Sequence, residues 1–393
     1  MDTVILKIHR PYKFKVANIS HFLPELRKRE FSELTPTEKK STRMYLRSFR
    51  FEPPFQDAYL PKIDVYEALN EERTEVIYTL QAAFSVPKLL FGNSVEEVSE
   101  DDLERVVAAF RKALRSAGIE IGEDAIKNAR VSTAHFCKNV LLPRDIRMQE
   151  IIAELKRVDI SKAVDITEME YKHGGQVLHA YSKTVSRVFY DKVLDATRTK
   201  GKRKDKGRME LERALIDRYG LGRREIFRYE YRLPKNQTLK SVVNSVLGRD
   251  YITPILFKDL FTPNLCKTVL LKSWRDLIQR PENQLSLLAP KDDHALLLHL
   301  MAGAHKRSAA HSMNRAFISY GLTLAVREYG AKEVRRAVSA IWNTDHGERL
   351  TKKIREAAEL VEGLPYSNAI AYLEGELERY PLITPDFLDA ATV

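Results

Sequence analysis

The stretch FRYEYRL, Phe227 to Leu233, alternates without a break. Phe227, Tyr229, Tyr231 and Leu233 fall on one side, and Arg228, Glu230 and Arg232 on the other. A period of two belongs to a β-strand, whose successive side chains point to opposite faces. The chain must therefore build a sheet with one aromatic face to bury and one face on which a carboxylate stands between two guanidinium groups. The charged face has two readings. It is an ion-pair ladder between neighbouring strands, or it is a site in which an acidic oxygen holds a divalent metal while arginines grip phosphate with their planar forks.

Elsewhere the pattern switches between the two periods. Val4, Leu6 and Ile8 alternate, EVIYTLQAAF (Glu75 to Phe84) and ARVSTAHFCKNVLL (Ala129 to Leu142) are β-like, and GQVLHAYSKTVSRVFYDK predicts two short strands in a hairpin. Between them, SEDDLERVVAAFRKALRSAG predicts a helix with Ser99 and Asp102 at capping-box spacing and Gly118 at its end. RDIRMQEIIAELKRV and GRMELERALIDRYG are helix-like too, the second closed by Gly220. From about Ser241 helical patterns dominate, with a Pro- and Asn-bearing break at RPENQLSLLAPKDDH. The expected fold class is α+β: an antiparallel-sheet body over residues 1–283, followed by a helical region over 284–393. In that region REYGAKEVRRAVSAIW sets a glycine between two helical runs, the spacing of a short helical hairpin or of a helix-turn-helix.

Charge points to the partner. Lys and Arg number 65 against 54 Asp and Glu, a formal net charge of +11 that favours a polyanion, nucleic acid before an anionic membrane. Two cysteines, Cys137 and Cys266, are too few for a disulfide framework and suit a reducing compartment. The opening MDTVILKIHRPYKF lacks the features of a secretory signal, and no apolar run approaches the ~20 residues that span a bilayer. The expectation is a cytoplasmic protein with no membrane partner.

Three further stretches carry chemistry. VSTAHFCKN places Val131, Thr133, His135 and Cys137 on one strand face, a structural arrangement or a partial metal site. Tyr190 ends a strand with Lys192 two residues on. A tyrosine there is a packing residue, or a nucleophile whose phenol, ordinarily near ~10, is activated by a nearby cation. Tyr181 is the competing tyrosine. The run TRTKGKRKDKGR, Thr197 to Arg208, is a solvated loop, a segment that orders on DNA phosphates, or both.

Taken in order, four segments resemble the replication initiators of filamentous phages and related plasmids, the gene II protein family: FSVPKLLFGNSVEEV, RVSTAHFCKNV, HAYSKTVSRVFYDK and FRYEYRL. The likeness spans roughly residues 75–235, and it is looser at both ends. It implies an enzyme that nicks one strand of its origin, becomes joined to the 5′ phosphate through tyrosine, leaves a 3′-hydroxyl for rolling-circle synthesis, and later recloses the displaced strand. On this resemblance Tyr190 is the nucleophile and Lys192 its basic neighbour. Glu230 and His135 hold Mg2+ or Mn2+, and Arg187, Arg228, Arg232 and Lys88 contact DNA. His135 stands where relatives often carry Asp, and the His–apolar–His pair of many tyrosine nickases is replaced by His135-Phe136-Cys137. The implied partners are duplex and single-stranded origin DNA and a host helicase and polymerase. The alternatives are a non-enzymatic DNA-binding plasmid initiator and a basic RNA-binding protein.

Overall fold

In the computed structural model the described residues are 1–393 apart from 9–13, 24–25, 42–44, 52–58, 161–167, 173–176, 198–207, 308–311, 343 and 393. The strands are β1 (Thr3–Ile8), β2 (Phe14–Val16), β3 (Phe22–Leu23), β4 (Arg47–Phe51), β5 (Lys62–Leu69), β6 (Val76–Ser85), β7 (Ile119–Ile121), β8 (Arg130–Leu141), β9 (Glu168–Lys172), β10 (Val177–Tyr181), β11 (Ser186–Asp191) and β12 (Ile226–Leu233). Ten of them form one sheet in the order β3-β4-β5-β6-β1-β8-β12-β11-β10-β9, and β2 pairs with β7. Every pairing in the large sheet is antiparallel. With its many helices the chain is an α+β protein, as its mixed periods imply.

FRYEYRL lies at the middle of this sheet as β12, between β8 and β11. Its aromatic side is buried. Phe189 of β11 stacks on Tyr229 at 5.0 Å between ring centroids, and Trp274 meets Phe189, Phe227 and Tyr229 edge-on from the helix Leu265–Ile278. Such edge-to-face pairs add about 0.5–1.5 kcal/mol each beyond the area they bury. Burial lifts the Tyr229 phenol to about 12, and its hydroxyl donates to Ser273 at 2.8 Å. The predicted helix after Ser99 is Leu103–Ser116, preceded by a cap in which Asp102 accepts from the Ser99 N–H at 2.9 Å and from its hydroxyl at 3.0 Å.

The helical region has its own apolar core, from Leu285, Leu288, Leu296 and Leu300 to Ile354, Ala357 and Val361. The boundary expected at 283/284 does not hold to residue 393, however. The helix Asn368–Arg379 sends Ala369, Ile370, Leu373 and Leu377 into the core of the sheet body. Ile383 and Leu388 join Val95, Val193, Ala196, Ile216 and Ile226 in a separate cluster. The chain leaves and rejoins the body at one place, where Leu288 and Tyr366 form an antiparallel bridge and Ser367 N–H donates to Leu287 O at 3.0 Å. The separately cored region therefore spans about 285–361, inserted between parts of the body.

Gly330 joins the helices Ser312–Tyr329 and Ala331–Ile341 with φ of 82°. A Cβ there would lie 2.5 Å from the carbonyl oxygen of Arg157, at the end of the helix Met148–Arg157. Its glycine thus answers to close packing against the body, reinforced by the buried Asp159–Arg335 ion pair. A turn shaped for DNA is not needed to account for it.

Candidate functional site

Register does most of the assembly. In antiparallel neighbours, directly opposed residues project to the same face. Tyr190 stands opposite Arg228, Arg232 opposite His135, and Arg228 opposite Asn139. One face of β11, β12 and β8 therefore collects Tyr190, Arg228, Glu230, Arg232, His135 and Asn139. Glu230 is diagonal to Tyr190, within reach of a long side chain. The Tyr190 hydroxyl donates to its Oε1 at 2.6 Å.

Tyr190, Arg228, Glu230, Arg232 and His135 line a cleft of about 500 Å³, together with Asp2, Thr3, Tyr59, Ser85, Lys88, Lys192, Asp195 and Glu212. Of the residues singled out in the sequence, Tyr190, Lys192, His135, Glu230, Arg228, Arg232 and Lys88 all meet here. Two arrive by routes that alternation did not foresee. The strand expected to carry Lys192 beside Tyr190 ends at Asp191, whose Oδ1 accepts from Val193 N–H at 2.9 Å and starts the helix Lys192–Thr197. Ser85 caps the helix Val86–Phe91 by accepting from Lys88 N–H at 3.5 Å, and Pro87 sits in its first turn.

Arg187 is elsewhere. It is one residue out of phase with Tyr190, so it shares the aromatic face. There it is buried, its guanidinium lies 5.2 Å from the centre of the Tyr231 ring, and its Nε donates to Ser273 at 3.1 Å. It cannot reach DNA from that position. Arg228 lines the cleft but is only 1 % exposed. It donates to Glu230 (2.7 Å), Asp2 (2.7 Å), Ser94 O (3.0 Å) and Asn139 (3.1 Å), so it braces the site rather than offering a free fork to phosphate. Arg232 and Lys88, with side chains 33 % and 23 % exposed, are the cations that face the opening.

The electrostatics follow from this network. Glu230 accepts from Tyr190 and Arg228 on one oxygen and from Arg232 on the other, at 2.7 Å. Burial alone would raise its carboxyl, but Arg228 and Arg232 outweigh it and hold Glu230 well below the usual carboxylate range. The Tyr190 phenol moves the other way: burial pushes it well above 10, opposed by the Arg228 cation and assisted by the Glu230 charge. Burial and the facing Arg232 lower His135, keeping the imidazole neutral. Glu212, from the helix Arg208–Arg218, accepts from Ser94 N–H at 3.1 Å and lies 3.5 Å from Lys192 Nζ and 4.0 Å from Lys88 Nζ. Burial opposes its ionisation, yet the two lysines and Ser94 hold it at about 2.

The donor set does not suit a divalent metal at His135 and Glu230. Both Glu230 oxygens are taken by cations and a hydroxyl, and a hard dication wants several oxygens of its own. Among the described residues no group of three or more His, Cys, Asp or Glu side chains is placed to hold a metal ion.

Sequence reasoning missed Asp2, Ser94, Asn139 and Glu212. Asn139 carried a signal, since it alternates in phase with His135 and Cys137. Asp2 and Glu212 carried none; they reach the site from 226 residues before Arg228 and 20 residues after Lys192. The basic run is outside the described residues over 198–207. No helix among the described residues is long and apolar enough to cross a membrane. No protein-family model, curated protein or solved structure matches the chain.

Proposed function

We propose that the chain is a DNA nicking and closing enzyme, a tyrosine transesterase that initiates rolling-circle replication on a replication-initiator-like sheet. The observation that carries this reading is the meeting of Tyr190 with Glu230, Arg232, Lys88 and Lys192 in one cleft. A phosphodiester exchange needs a nucleophile, a group to take its proton and cations for the charge that develops on phosphorus. Tyr190 attacks the phosphorus in line and keeps the 5′ phosphate, while the 3′-oxygen departs. The linkage conserves the energy of the broken bond, so closing reverses the step without a nucleotide. The net charge of +11 suits a DNA partner, and a helicase and a polymerase would act on the exposed 3′ end.

Supercoiled DNA carrying the chain's own origin tests the reading. Nicked circles with protein on the 5′ end, lost in Tyr190→Phe and kept in Tyr181→Phe, are expected. Tyr181 pairs with Ser186 at the far end of β11 and does not line the cleft. Attachment that survives Tyr190→Phe refutes the assignment. Tight binding with no nicking would favour a non-enzymatic initiator.

A further inference from the structure

The carboxylates of the cleft are already committed, and its cations are not all held at the same depth. Glu230 is occupied on both oxygens. Asp2 accepts from Ser85 at 2.5 Å on one oxygen and from Arg228 at 2.7 Å on the other. Glu212 faces Ser94, Lys192 and Lys88. Asp195 lies 3.8 Å from Lys192. The four cations of the lining, Lys88, Lys192, Arg228 and Arg232, are thus matched by four carboxylates, Asp2, Asp195, Glu212 and Glu230. A metal entering here would have to strip guanidinium groups from buried carboxylates, leaving buried Arg228 short of a partner. An incoming phosphodiester has an easier exchange: it replaces Glu230 as the partner of Arg232, whose side chain is already one-third exposed.

We infer that exchange at Tyr190 runs without a divalent ion, with Arg232 and Lys88 holding the phosphodiester and Glu230 receiving the tyrosine proton. This rests on the tyrosine reading above and adds how its charge is handled. In the step, the Tyr190 Oη–phosphorus bond forms as the bond from phosphorus to the 3′-oxygen breaks. The phenol proton passes to Glu230 Oε1, already 2.6 Å away. The departing 3′-oxygen takes a proton from the Lys88 ammonium, and the proton on Glu230 returns to Lys88 through solvent, so the net transfer is from the phenol to the new 3′-hydroxyl. Two arginines restrain the Glu230 carboxylate in the resting site. Turning Arg232 to the phosphate removes one of them, so the substrate itself prepares the proton acceptor. Arg228, fixed by Asp2, Ser94 and Asn139, stays behind and keeps the carboxylate in place.

The test uses the full chain and a pool of random-sequence single-stranded DNA labelled at the 3′ end, with labelled protein read on a denaturing gel. Adduct formed in excess EDTA at a rate within about threefold of that in Mg2+ or Mn2+ is the expected result, because loss of a required metal costs roughly a thousandfold. Arg232→Ala should slow attachment by about a hundredfold or more, the scale of losing one donor to the developing charge, while His135→Ala changes it only a few-fold. Titration with Mn2+, followed by its paramagnetic resonance signal, should reveal no bound ion sensitive to His135→Ala. Adduct that forms with metal but not in EDTA, and that His135→Ala abolishes, overturns this inference and leaves the tyrosine reading standing. No adduct in either buffer, with the DNA demonstrably bound, overturns the tyrosine reading and this inference with it.

Discussion

Replacing Glu230 by Gln isolates what the central carboxylate does for the fold. The amide keeps the shape and one acceptor oxygen, but it loses the charge and turns an N–H donor toward a guanidinium. Arg232 can swing into solvent. Arg228 cannot: it is 1 % exposed and retains one carboxylate, Asp2, at 2.7 Å. Leaving a buried charge with no partner costs about 3–5 kcal/mol, and with one of two partners kept we expect about 2 kcal/mol. The assay is urea denaturation followed by Trp274, which touches Phe189, Phe227 and Tyr229 directly behind the site. The second tryptophan, exposed Trp342, is first changed to Phe so that a single reporter remains. The effect should depend on pH. Arg228 and Arg232 depress the Glu230 carboxyl below its ordinary 4.5, so its stabilising contribution is complete above that value and fades as pH falls toward the lower native one. Wild type and Glu230→Gln should therefore converge in acid. A difference below about 0.5 kcal/mol at neutral pH, or a more stable variant, would refute the argument, since surface substitutions already lie in that range.

Three other outcomes follow from the same structure. Gly330→Ala puts a Cβ 2.5 Å from Arg157 O at a φ of 82°, so it should destabilise the packing of the helical region by about 2 kcal/mol or more; unchanged hydrogen exchange over residues 312–341 would count against it. Glu212 is held at about 2 against an ordinary 4.5, which corresponds to about 3 kcal/mol present above pH 4.5 and lost as pH falls toward 2; Glu212→Gln should flatten that acid limb, and an unaltered limb would mean that Lys192 and Lys88 do not pair with it. On the proposed nicking function, Arg187→Met should leave DNA affinity within about twofold while changing the urea midpoint, because its charge sits on the buried aromatic face; a large loss of affinity with unchanged stability would place Arg187 at the proposed DNA contact.

What could be read from the sequence was what depends on local period. The two faces of FRYEYRL needed only alternation, and the Ser99–Asp102 cap needed only spacing. The approach of Tyr190 to Glu230 needed more: the likeness of four ordered segments, since neither residue declares a partner 40 positions away. Arg187 shows a signal left unused. Counting by two from Tyr190 reaches Val188 and Ser186, so the period itself puts Arg187 on the other face. Lys192 shows the converse, because alternation was carried one residue past the point where Asp191 turns the chain into a helix. Asp2 and Glu212 were beyond any such reading. A charged residue on a short helix looks the same whether it meets solvent or a buried lysine, and only the fold brings the choice about. The return of Asn368–Arg379 to the sheet was hidden for a like reason: an amphipathic pattern says that a face is covered without saying by what.

The bridge between Leu288 and Tyr366 gives the helical region a neck rather than a hinge line along the chain. Its two connections lie side by side, so the ends of the intervening stretch are already closed on each other. Closing them with a few linker residues adds little entropy cost. Deleting residues 290–364 on such a linker, with Asp159→Asn because its partner Arg335 is removed, should therefore leave a folded body with Tyr190 still seated on Glu230. Truncating everything after Val361 would instead strip Ile370, Leu373 and Ile383 from cores that support the cleft. In evolutionary terms the neck makes the region an exchangeable cassette, free to diverge while the sheet that carries the tyrosine is left alone.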